Sequence, residues 1–186
     1  MSLANVLSTQ RSVIVEEWFQ TSIKLFPSEK SRFIQTSKDQ FANPVGFRLR
    51  SGLAQLFDEL SSEVAASPER LRPLLDKVVR VQAVQGFPAK NVAGGLLALK
   101  RIVRDRLAGE KSSKQDTSPV DALRLAAFDA RIDLLAEEGL HIHQACRTKL
   151  DELKGNERRR RTYMQRRMGL DTPSKDAPVA KGGNGS

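Results

Sequence analysis

Seven residues in the last third of the chain, Leu125, Phe128, Ile132, Leu135, Gly139, Ile142 and Cys146, follow one another at spacings of 3, 4, 3, 4, 3 and 4. That period holds apolar or small side chains on one stripe of an α-helix, whereas a strand would scatter them over both faces. Leu150 and Leu153 continue the stripe, so the spacing predicts a helix over about 119–153. Its near-heptad seam suits bundle packing or a coiled coil, with Leu135, Ile142, Cys146 and Leu150 as the candidate dimer seam.

The same period recurs upstream, and sustained alternating runs are absent. Val15, Trp18, Ser22 and Phe26 share one stripe of a first helix over about 3–25, which Pro27 ends. Ser28 caps a short second helix, SEKSRFIQT. In FANPVG, Asn43 is a favoured N-cap and Pro44 a favoured first helical residue. The stripe Val45, Leu49, Gly52, Leu53, Leu56, Leu60 follows. Phe41 and Phe47 have the spacing of a hydrophobic staple across that helix start. Gly46 and Gly52 are placed for close approach by a neighbour. Ser67-Pro68 opens the next helix, with Pro73 in its first two turns, and Gly86-Phe87-Pro88 breaks the chain before another. There Gly94-Gly95 costs helix propensity that close packing must offset. A polar linker, GEKSSKQDTSP, leads to the cap-proline start Ser118-Pro119. The expected fold is all-α: a single bundle of about five to six helices, for which globin-like packing is one arrangement.

Composition narrows the class. One cysteine among 186 residues excludes an intramolecular disulfide framework and fits a reducing compartment. The first residues lack the basic and apolar regions of a secretory signal, and no apolar run is long enough to span a membrane. A cytoplasmic protein is expected. The net charge of +9 is uneven: Arg147–Ser186 holds eleven basic and five acidic residues, and the first 146 residues carry only +3. The candidate contacts to an anionic partner are therefore Arg158, Arg159, Arg160, Arg161, Arg166 and Arg167. They lie in a basic, low-complexity tail assigned to 154–186.

Catalytic groups are sparse. His141 and His143, the two histidines, point to nearly opposite sides of a helix and cannot share a metal. His141 with Glu137 makes a pair, too few ligands for a site. Cys146 on the seam reads first as a small hydrophobe and second as a redox-sensing or dimer-linking thiol. GGLLALK lacks phosphate-loop spacing. No enzyme activity, metal or cofactor is expected. Lys38, Asp39, Asn43 and Arg48 around one helix start, with Arg80, Gln82 and Gln85 on another helix, form a polar cluster. It reads as a capping and salt-bridge network, with an anion or small-molecule pocket as the alternative.

KDQFANPVGFRLRSGL and RPLLDKVVRVQAVQGFPAKNVAGGLLALKRIVRDRL together resemble the RsbRD N-terminal domain, the input domain of RsbT co-antagonist proteins of bacterial stress signalling. The resemblance covers about residues 10–110, and the helical region as a whole is taken as 1–153. It implies a helical sensory module that dimerises through helices and passes a signal along its C-terminal helix to an output domain. In co-antagonists that output is a STAS domain, whereas only 33 residues follow residue 153 here. The expectation is therefore a stand-alone input or adaptor module. Its implied partners are a second copy and a regulatory or redox protein. Nucleic acid held by the Arg158–Arg167 segment is the alternative function.

Overall fold

The computed structural model describes residues 2–25, 34, 41–62, 67–109 and 119–169. Among these there are six helices and no strand: α1 Leu3–Thr9, α2 Arg11–Lys24, α3 Pro44–Ser61, α4 Pro68–Val84, α5 Ala89–Gly109 and α6 Pro119–Arg167. The chain divides into two compact units, Met1–Thr148 and Lys149–Ser186. The SEKSRFIQT helix, the polar linker and the last tail residues lie outside the described residues, except that Ile34 is buried.

The all-α expectation holds, with two differences in the helices. The first helix is two, because the chain turns at Gln10 (φ −103°, ψ 14°). Ser8 Oγ and Thr9 Oγ1 both donate to the Asn5 carbonyl, at 3.0 and 2.7 Å. Such bonds offer the backbone an alternative to helix continuation. The last helix extends past Leu153 to Arg167, so the arginine run is helical. Its apolar stripe ends earlier, but Glu, Lys, Arg, Gln and Met there are strong helix formers, and Gly169, with a positive φ (+67°), follows its end.

In the first unit, three close approaches set the packing. At α2–α5, the Trp18 indole Nε1–H donates to the Gly95 carbonyl at 2.7 Å, and a Cβ on Gly95 would meet Ser22 Oγ at 3.3 Å. At α3–α4, a Cβ on Gly52 would lie 2.5 Å from Val78 Cγ2. On α6, a Cβ on Gly139 would come 2.8 Å from Leu96 Cδ1 of α5, with α4 side chains just behind. The cost of these glycines to helix propensity is thus offset by contact. Trp18, Phe19, Phe57, Leu75, Leu99 and Ile132 fill one continuous core. Salt bridges lace its surface: Arg50 holds Glu16 and lies 3.9 Å over the Phe19 ring, and Lys100 and Arg104 of α5 meet Asp133 and Asp129 of α6.

Two helix junctions are made by caps, whereas Ser67, the expected cap of α4, makes no side-chain capping bond. Asn43 receives the Gly46 N–H at 2.9 Å and donates Nδ2–H to the Ile34 carbonyl at 2.6 Å, while only 1% exposed. The expected staple is not what fixes this start: Phe41 is 86% and Phe47 41% exposed. The polar side chain, with both a donor and an acceptor, holds the chain there instead. At the end of α4, Gly86 (φ +84°) donates to Ala83 and Phe87 N–H reaches Gln82, the paired bonds of a Schellman cap.

Candidate functional site

Helix α6 divides its residues between two faces. Phe128, Asp129, Ile132, Leu135, Ala136, Gly139, Ile142 and His143 are buried, and they spend the predicted seam inside the protomer. Of the candidate dimer-seam residues, Leu135 (5% exposed) and Ile142 (7%) are core residues, while Cys146 and Leu150 are half-buried. A second stripe with the same 3, 4, 3, 4 spacing, Val120, Leu123, Ala127, Ala130 and Leu134, faces solvent. Its large members are 58% (Val120), 73% (Leu123) and 65% (Leu134) exposed. Sequence periodicity missed this face because its alanines carry a weak apolar signal.

Two grooves border that stripe. One, of about 350 Å³, lies between α4 and α6; Leu71, Leu75, Leu134 and Leu135 supply its apolar wall. Its rim is charged on both sides. Glu138 sits 3.1 Å from Arg72 Nε, close enough for an ion pair though not aligned for a hydrogen bond, and 3.9 Å from His141 Nδ1. The other groove, of about 380 Å³, is walled by Leu3 and Leu7 of α1, the end of α3, and Ala127 and Phe128 of α6. Arg131 stands between the two and donates to the Leu60 carbonyl at 3.3 Å. The arrangement is one apolar recess and one of mixed polar and apolar lining beside an exposed helical stripe, with charge at the margins.

The residues of the expected polar cluster fall as follows. Lys38 and Asp39 lie outside the described residues. Asn43 is consumed by its cap, and Arg48 is exposed. Arg80 donates to Asp76 one turn earlier at 2.5 Å, and that hydrogen bond holds its guanidinium above the ordinary arginine range. Gln82 is buried, and Gln85 ends α4.

His143 is buried and bonds through Nε2 to the Phe87 carbonyl at 2.7 Å, tying the α4–α5 turn to α6; His141 is exposed on the other side. Cys146 is a free thiol. Among the described residues no group of three or more His, Cys, Asp or Glu converges as metal ligands, and no helix is long and apolar enough to cross a membrane.

The family model described as RsbT co-antagonist protein rsbRD N-terminal domain matches residues 12–158. No curated protein and no solved structure matches the chain. The match runs from α2 through most of α6, taking in the Asn43 cap, the Gly86 turn and the α6 stripe, and the chain belongs to this family of stress-signalling input domains.

Proposed function

We propose that the chain is a non-catalytic signal-input or adaptor module of bacterial stress or redox regulation. On this reading it works as a homodimer and through contacts with a regulatory protein. The observation that carries the reading is the exposed stripe Val120–Leu134 of α6, bordered by two grooves, the one against α4 predominantly apolar. A second copy of the helix laid along this stripe would place side chains into the recesses on either side, as knobs enter holes in a coiled coil. The stripe lies within the region shared with the family.

A photo-crosslinking residue placed at Leu134 of the full chain tests the contact directly. The expected product is a protein adduct, either a second copy or a regulatory protein, that does not form from the same residue placed at Val13. Equal yields at the two positions would remove the stripe's special standing.

A further inference from the structure

In the second unit, Arg158–Gly169 holds six arginines and no acidic residue. All of these residues are exposed, and those to Arg167 are helical. Arg161 lies 3.7 Å from Glu157, both side chains 73% exposed. Among the described residues, no carboxylate lies within ion-pair distance of Arg158, Arg159, Arg160, Arg166 or Arg167.

The way these cations are arranged selects among polyanions. Successive helical residues turn by about 100°, so Arg158 to Arg161 quarter the circumference, and Arg166 and Arg167 stand two turns on, over Arg159 and Arg160. An acidic protein surface meets one side of a helix and would leave the remaining arginines unmatched. A groove surrounds it. The major groove of duplex DNA is about 12 Å wide and admits an α-helix of about 10–12 Å diameter between two phosphate walls. The corresponding groove of A-form RNA is too narrow and deep for side-chain reading. Single strands call for an aromatic stacking platform, and Tyr163 is the segment's one aromatic residue.

We infer that the helical segment Arg158–Arg167 is a duplex-DNA-binding element that seats in the major groove by charge, without base specificity. It adds a second kind of partner to the protein contacts proposed above.

The test is fluorescence anisotropy of a labelled mixed-sequence DNA duplex with the full chain, from about 50 to 200 mM salt. The expected result is binding at the low end. With at most six phosphates neutralised, the slope of log K on log salt should approach about −5, and affinity should fall about a thousandfold over that range. Replacing Arg158, Arg159, Arg166 and Arg167 by Gln, which keeps helix propensity, should flatten the slope by about 3–4, with unchanged circular dichroism. Replacing them by Lys should largely preserve it. No binding at low salt would overturn the inference, as would equal affinity for polyglutamate or for single-stranded DNA. So would an unchanged slope in the Gln variant.

Discussion

Asn43 is the residue whose replacement separates two ways of holding a helix start. Its Oδ1 receives the Gly46 N–H and its Nδ2–H donates to the Ile34 carbonyl, all in a 1% exposed position. Asn43→Asp is nearly isosteric and keeps the acceptor, which the helix N-terminus favours by up to about 1 kcal/mol. It turns the donor into a second carboxylate oxygen facing a carbonyl from which it cannot withdraw. The lost bond is worth about 1 kcal/mol and the buried unpaired carbonyl about 1–3 more. Net of the dipole gain, the variant should be about 2 kcal/mol less stable near neutral pH. For a chain of this length that is a fall of about 4–8 °C in Tm. Protonation restores a donor, so the introduced carboxyl's pKa in the folded protein is raised above the ordinary value of about 3.9. The sign follows: the deficit is complete above the raised pKa and shrinks as pH falls through it. Thermal unfolding by circular dichroism at about pH 7 and about pH 5, corrected for the wild type's own change, measures both parts. Asn43→Asp as stable as the wild type at the higher pH, or no recovery at the lower, would refute the double role of the amide.

Trp18→Phe removes the indole donor that links α2 to α5 and leaves the Gly95 carbonyl with its own helix bond alone, so urea unfolding should show a loss of about 1–2 kcal/mol for the lost bond and the smaller ring. His143→Phe removes the ring nitrogen's bond to the Phe87 carbonyl, and the urea midpoint should fall by the equivalent of about 1 kcal/mol. The Arg11 and Arg80 guanidiniums are held above the ordinary arginine range, chiefly by hydrogen bonds to Asp58 and Asp76. A raised folded-state pKa gives stability that is present at every pH below that range and lost only above it. Asp58→Asn should therefore cost the same small amount, under about 1 kcal/mol for so exposed a pair, at about pH 6 and about pH 9. A cost that changed between those pH values would contradict the assignment.

Local chemistry was the most legible part of this fold. Asn43-Pro44, Ser67-Pro68 and Gly86-Phe87-Pro88 mark helix junctions where the structure has them, because caps and turns depend on a few neighbouring residues. The stripes located helices but not their partners: the period of Leu135 and Ile142 is the same whether the face meets α4 and α5 or a second copy. The break at Gln10 carries no proline or glycine and depends on hydroxyl bonds to one carbonyl. The helical run beyond Leu153 has propensity without an apolar stripe, which is why it reads as a tail. Of the candidate contact surface, the arginines were visible as charge. The Leu123–Leu134 face was not, since its exposure follows from which side of α6 the core occupies.

The measurement that bears most directly on the exposed α6 face is the solution mass of the full chain by light scattering, beside Leu123→Glu and Leu134→Glu. The wild type should weigh about twice its 20.7 kDa chain mass, and each variant one chain mass with its helical circular dichroism intact. A wild type at one chain mass, or variants that remain paired, would contradict assembly through this face.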